Sequence, residues 1–280
     1  MSTAAKESES PYLIHALCFQ HKRTEEMKSK FQRVGIDPAT VHFYDGVPFT
    51  DRRLHSANGV AKWMHMAKCP GHGPDPVEYV PNDGITRCWS LCYGHLDMIR
   101  HYYDRTAGME SPPLGIFCED DILLRRDFVA QMKTVLRDFY ALNLQILLLG
   151  YLCSFPIHPS EHFHKLEPES DTTTFQYFRY PSDTWGTQMF MMTREHAGKL
   201  LSKYEYGYLE YSISHPSDTL PPFSADWTLT KEGIDRVAAI VYPLLAIEDG
   251  QSRYEHGGQQ SLRDRCFQLS YTEELFGQVP

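Results

Sequence analysis

The stretch of this chain with the most concentrated chemistry is Leu114-Gly115-Ile116-Phe117-Cys118-Glu119-Asp120-Asp121. A short apolar run reads as a buried strand, and three acids follow it without a spacer. Carboxylates so close together repel one another and need a counter-charge. A hard divalent cation, Mg2+ or Mn2+, supplies one through oxygen ligands and keeps water and substrate phosphates in its shell. Glu119 and Asp121 are alternate residues, so in an extended segment they point the same way. A metal ligand and a ribose contact is one division of labour between them. A solvated acidic turn has the same composition, so the elements that place the triplet decide between the two.

Those elements read as α/β. Tyr12 to Phe19 is strand-like, and Thr24 to Val34 carries Met27, Phe31 and Val34 on one helical face, with Thr24 as N-cap and Gly35 at the end. Val41 to Tyr44 is a second strand closed by Asp45-Gly46. A β-α-β opening implies a parallel sheet, whose ligands sit at the C-terminal strand ends. Pro70 to Asp83 is a Pro- and Gly-rich loop. Helices are expected over Trp89 to Tyr103, over Asp127 to Leu142, from a Thr193 cap through Leu201, and around Trp227 to Glu232. Strands are expected over Leu114 to Cys118, Gln145 to Gly150, Trp185 to Met192 and Ala238 to Leu245, the last followed by a polar tail. Tyr151 to Asp183 and Tyr204 to Pro222 show no regular pattern. The expected organisation is a single domain over 1–280, with a regular nucleotide-binding half (1–150) and a loop-rich acceptor half with its tail (151–280).

Formal charge is −9 and basic clusters are short, which argues against nucleic acid as a partner. An acidic protein that handles phosphates needs local help from a cation or from backbone amides. The seven cysteines are odd in number and scattered, several within apolar runs, as reduced buried thiols are. Cys88, Cys92 and His95 have zinc-like spacing, but no second ligand cluster follows. Met1 to Ser10 is polar and no apolar run is long enough for a bilayer, so a soluble cytoplasmic protein without an anchor is expected. Oligomeric state has no signature.

Several segments taken in order resemble the lipooligosaccharide and collagen galactosyltransferase family. They are Leu13 to Arg23 with Glu25-Glu26-Met27, the Asp45-Gly46 pair, Cys88 to Leu96, Phe117-Cys118-Glu119-Asp120-Asp121-Ile122, Leu148-Leu149-Gly150 and Gly186 to Leu200, about two-thirds of the chain. The departures are Cys18-Phe19-Gln20, where that family has Asn-Leu-Asp, and Gly94 in place of a Ser. Size and polar start are also similar to glycosyltransferases of large algal DNA viruses, a xylosyltransferase among them, which would put the protein in host cytoplasm. The resemblance implies a GT-A fold: a mostly parallel nucleotide-binding sheet flanked by helices, with a loop-rich acceptor side. It implies a UDP-sugar donor, with UDP-xylose and UDP-galactose leading, a Mn2+ or Mg2+ cofactor, and a glycan acceptor.

Roles follow from that resemblance. Asp121 is expected on the metal, Glu119 on the ribose or in the metal shell, and Asp120 beside them at the donor. Cys18, Arg23, Asp45 and Arg87 are further donor candidates. Asp45 serves equally as a turn acid, and Arg23 as a helix-start cation. A third metal ligand is His256, between Glu255 and Gly257-Gly258; a surface histidine reads the same. An inverting transferase needs a carboxylate base. Asp226 is the first candidate and Asp183 the second, although an N-cap aspartate matches Asp226 as well. Trp185 and Trp227 are candidate acceptor platforms, or core residues. A retaining transferase needs no such base. Three rivals are weighed: a non-catalytic carbohydrate-binding module, which needs no acid triplet at a strand end; a glycoside hydrolase, whose carboxylates must flank a bond rather than adjoin; and a nucleotidyltransferase, whose Gly-rich loop is missing between Cys18 and Arg23.

Overall fold

A computed structural model describes residues 10–19, 21–57, 83–157, 163–168, 174–180, 184–215, 221–231, 237–249 and 257–277, without the side chains of 83–84 and 257–260. The strands are β1 (Tyr12–Cys18), β2 (Val41–Asp45), β3 (Leu114–Cys118), β4 (Ile122–Leu124), β5 (Ile146–Leu152), β6 (Lys165–Leu166), β7 (Gln176–Arg179), β8 (Trp185–Met192), β9 (Ala238–Tyr242) and β10 (Ala246–Glu248). The helices used below are α1 (His21–Arg33), α2 (Asp83–Arg105), α3 (Phe128–Ala141), α4 (Arg194–Tyr204), α5 (Tyr208–Ser214), α6 (Gly257–Ser270) and α7 (Glu273–Phe276).

Eight strands form one sheet in the order β2-β1-β3-β8-β5-β9-β7-β6. β1 pairs parallel with β2 and β3, and β5 pairs parallel with β9. β8 runs antiparallel between β3 and β5, and β7 antiparallel to β9. The result is a mostly parallel sheet with β8 reversed at its centre. Alternation along the strands sorts side chains onto two faces. Leu17, Phe117, Leu148 and Phe190 pack under α2 and α4, while Ala16, Ile116, Leu147 and Met191 pack over α1 and α3. α1 buries Met27 and Phe31, and α3 buries Phe128, Met132, Val135, Leu136 and Phe139, each at helical spacing. Among the described residues no helix is long and apolar enough to cross a membrane.

Four local expectations are corrected. α1 begins at His21, so Thr24 lies inside the helix rather than at its cap. The reason is long-range: the Phe19 N–H (3.0 Å) and Arg23 Nη1 (2.7 Å) both donate to the Asp120 carboxylate, which pins the β1–α1 connection and starts the helix early. Tyr204 to Pro222 contains α5, with Tyr208 and Leu209 buried. The faded stretch holds β6 and β7, short strands that complete the sheet beside β9. Ala238 to Leu245 is not the final strand, since β10 follows, and the polar tail holds α6 and α7. Their few apolar residues are scattered in sequence, yet Cys266 and Phe276 are buried and Phe267, Tyr271 and Leu275 pack on the core. Thr193 caps α4 as expected, its hydroxyl accepting from the His196 N–H.

Candidate active site

β3 ends at Cys118, and the next three residues turn out of the sheet. β4 follows at once and pairs antiparallel with β10, with Glu248 opposite Ile122. The Asp249 N–H donates to the Asp121 carbonyl at 2.7 Å. This two-stranded ribbon carries two more acids, Glu248 and Asp249, to the acidic turn from more than a hundred residues away. The sequence signal was there: Leu245-Ala246-Ile247-Glu248-Asp249 repeats the apolar-strand-then-acid pattern of Leu114 to Asp121.

Each acid of the triplet has its own surroundings. Glu119 accepts from the Thr187 hydroxyl and from His95 Nε2 at 3.3 Å. Burial works to raise its pKa, but His95 and Thr187 outweigh it and hold the carboxyl below its ordinary range. Asp120 binds Arg23 and the Phe19 N–H, and Lys30 donates to its carbonyl at 3.4 Å. That tie supports the loop. Asp121 is buried to 5 % exposure. Glu248 is ion-paired with Arg263 of α6. Its carboxyl is pushed up to about 8, first by burial and then by repulsion from Asp121, with Arg263 opposing and Glu119 adding to the rise.

Two clefts open on these acids. The larger, about 650 Å3, runs from Phe19, Gly46 and Phe49 past Arg87 to Glu119, Asp120 and Asp121. The smaller, about 270 Å3, includes Trp185, Thr187, Asp226, Leu262 and Arg263. Both share Leu91 and Glu119. Phe19 and Phe49 are half exposed where they line the larger cleft. A Cβ on Gly46 would stand 2.1 Å from Phe19 Cδ1, so only glycine lets that ring lie there.

Asp226 opens a π-helical turn over Asp226–Thr230, and its carboxylate accepts the Gly186 N–H. Gly186 has φ 103°, a left-handed conformation natural to glycine. Burial raises the Asp226 pKa first; the Gly186 hydrogen bond opposes the rise and repulsion from Glu119 adds to it. Trp185 and Trp227 meet edge-on at 5.6 Å. Lys231 Nζ lies 3.2 Å from the Trp185 ring centroid and 4.4 Å from that of Trp227, so this platform already carries a cation.

Of the sequence candidates, Arg23, Arg87, Glu119, Asp120 and Asp121 line the larger cleft, and Asp226 and Trp185 the smaller. Asp45 is exposed at the end of β2, one residue before the cleft-lining Gly46. Cys18 is fully buried in the core, its thiol pushed up to about 12, chiefly by burial. Trp227 backs onto Trp185 and is 36 % exposed. Asp183 and His256 lie outside the described residues. Sequence reasoning missed Phe19 and Phe49 as cleft residues, and Thr187, Lys231, Glu248 and Arg263 altogether.

Among the described residues no group of three or more His, Cys, Asp and Glu side chains is arranged to hold a metal ion as a cage. Zinc at Cys88, Cys92 and His95 is not supported, because the Cys92 thiol contacts Thr228 and His95 Nε2 faces Glu119. A Mg2+ or Mn2+ site asks for less, namely one or two carboxylates completed by phosphate and water. Asp121 beside Glu248 fits that demand. Asp121 adds to the cost of ionising the buried Glu248, and such a cation relieves that cost.

No family model and no curated protein matches this sequence. Among solved structures, a mannose-1-phosphate geranyltransferase from Thermus thermophilus is similar at 10% identity and TM-score 0.41, over 85% of this chain and 74% of that one. A glycosyltransferase involved in the glycosylation of the major capsid of PBCV-1 is similar at 9% identity and TM-score 0.40, over 92% of this chain and 100% of that one.

Proposed function

We propose that this protein is a glycosyltransferase that moves a sugar from a nucleoside-diphosphate sugar to a hydroxyl of an acceptor glycan, with inversion. One observation carries the reading. A cleft large enough for a nucleotide and a smaller one join at Glu119, with the Asp226 carboxylate in the smaller. In this reading the base stacks between Phe19 and Phe49, the diphosphate lies near Asp121, and the acceptor enters beside Trp185. UDP-xylose and UDP-galactose are the donors to try first. A divalent cation, when bound at Asp121 and Glu248, supplies positive charge against the leaving diphosphate.

Asp226 holds the acceptor hydroxyl and takes its proton as the oxygen attacks the anomeric carbon. The bond to the diphosphate breaks and the nucleotide leaves with that electron pair. Gly186 fixes one carboxylate oxygen and leaves the other for the proton. A buried carboxylate with a raised pKa is a better base than an exposed one. Glu119, locked by His95 and Thr187, stands between the two substrates and orients both.

The test is nucleotide release from a panel of UDP- and GDP-sugars, with and without Mn2+, alongside UDP binding by calorimetry. Metal-dependent release from one donor, lost in Asp121→Ala, supports the reading and identifies the sugar. No release together with no UDP binding in the presence of Mn2+ removes it.

A further inference from the structure

We infer that Gln188 is a specificity-determining residue: its side-chain carboxamide reads a hydroxyl of the acceptor sugar in the smaller cleft, other than the hydroxyl that Asp226 deprotonates. The inference rests on the proposed reading of that cleft as the acceptor site.

Gln188 stands on β8 next to Met189, which pairs with Cys118 of β3 on one side and Gly150 of β5 on the other. Its carbonyl accepts the Glu119 N–H at 3.1 Å, so its backbone is fixed at the root of the acidic turn. The residue lines the smaller cleft and is 4% exposed. Gly186, two residues earlier, makes room for its end group. A Cβ there would stand 2.7 Å from Gln188 Cδ and Nε2, and closer still to Oε1. The same Gly186 holds the Asp226 carboxylate through its N–H. One glycine therefore adjoins both the carboxamide and the carboxylate of this cleft.

The charged side chains of the cleft are engaged within the chain: Glu119 by Thr187 and His95, Asp226 by Gly186, and Arg263 by Glu248. Gln188 differs. Its Oε1 is shielded from water and has no hydrogen-bond partner among the described residues. Buried polar groups are almost always bonded, and an unmet one costs stability. A ligand hydroxyl supplies the missing donor. A carboxamide both accepts and donates, as a sugar hydroxyl does, and it carries no charge. Its terminal torsion is broad, so the end group turns toward a ligand at little cost. A site with such a group discriminates against a sugar that lacks the matching hydroxyl, because the buried oxygen then stays unmet.

The test pairs stability with binding. Gln188→Met keeps the volume and removes the unmet acceptor, so its Tm should match or exceed that of wild type. A clear drop in Tm would show that Oε1 is satisfied inside the folded chain, and would overturn the inference. Binding is read by saturation-transfer NMR titrations, in UDP and Mg2+, of methyl glycosides of the common hexoses and pentoses and their monodeoxy analogues. Wild type is expected to lose about tenfold in affinity when one particular hydroxyl is removed, while Gln188→Met loses less than about twofold on the same change. Equal losses in the two proteins at every hydroxyl would overturn the inference. UDP affinity, measured by calorimetry, should agree between them within about twofold. A larger fall in the variant would place Gln188 at the donor instead, and would also overturn it. Glycoside binding by neither protein, with UDP still bound, would remove the acceptor reading of the cleft and this inference with it. Absence of UDP binding as well would remove the nucleotide-sugar reading itself.

Discussion

The Gly186 N–H donates to the Asp226 carboxylate across 40 residues of sequence, and so fixes the aspartate of the smaller cleft against the start of β8. Gly186 is able to do this because of its φ of 103°. Asp226→Asn keeps the shape and removes the base. Transfer should fall by about a hundredfold to ten-thousandfold, the range for a general base, while UDP affinity stays within about twofold. A variant with near-normal turnover would exclude Asp226 as base and favour a retaining route. The wild-type rate should fall as pH drops through the raised Asp226 pKa, because the base must be ionised.

The acidic turn predicts a linked effect of pH and metal. Glu248 titrates near 4.5 when unfolded and near 8 in the fold, so between these values the native state holds the extra proton. Without a cation, this group makes stability fall as pH rises through that window. Mn2+ should reverse the trend, because the cation competes with the proton at the Asp121–Glu248 site. The rise in Tm on adding Mn2+ should be larger at pH 8.5 than at 6.5, and absent in Asp121→Asn. A metal effect that is flat with pH would mean that Glu248 is not part of the site.

The sheet could be read from sequence where strands alternate or run fully apolar, as in Leu114–Cys118 and Trp185–Met192, whose bounds agree residue for residue. It could not be read where strands are two to four residues long and lack an apolar run, because β6 and β7 draw their order from pairing rather than from pattern. The same distinction governs the site. The acid triplet announces itself by local density of charge. Arg263 is one cation on a helix of weak amphipathicity, and nothing within ten residues marks it. Its meaning comes from Glu248, which β10 delivers to the cleft. Lys231 was hidden likewise, since its place over Trp185 and Trp227 depends on the π-helical turn between them.

Gly46 is a sharper test of the nucleotide cleft than any charged residue there. Its missing side chain gives Phe19 its place, with Cδ1 2.1 Å and Cγ 2.9 Å from where a Cβ would be. Gly46→Ala must displace the ring. Phe19 is 45% exposed, so folding stability should change by less than about 1 kcal/mol. Stacking on a base is worth about 1–3 kcal/mol, so UDP affinity should fall roughly tenfold, and Phe19→Ala should match it. Calorimetry on both variants decides the point: unchanged affinity would place the base elsewhere.

Acid sensitivity should come from the far side of β1. His15 is fully buried, stacked on Phe117, with Nδ1 2.9 Å from the Tyr44 hydroxyl. Burial lowers its pKa to about 2, and the neighbouring charges of His42, His101 and Arg105 add to the effect. The unfolded chain takes up a proton near 6.5 and the native state does not, so stability present above that value is lost as pH falls. The slope is about 1.4 kcal/mol per pH unit, or about 2 kcal/mol between pH 7.5 and 5. His42, also lowered chiefly by burial, acts in the same direction. His15→Phe should cost some stability at pH 7.5, where the Tyr44 contact is lost, and should lose about 2 kcal/mol less than wild type on going to pH 5. Denaturant titrations of both proteins at the two pH values measure that difference, and parallel losses would show that His15 accepts its proton in the folded state.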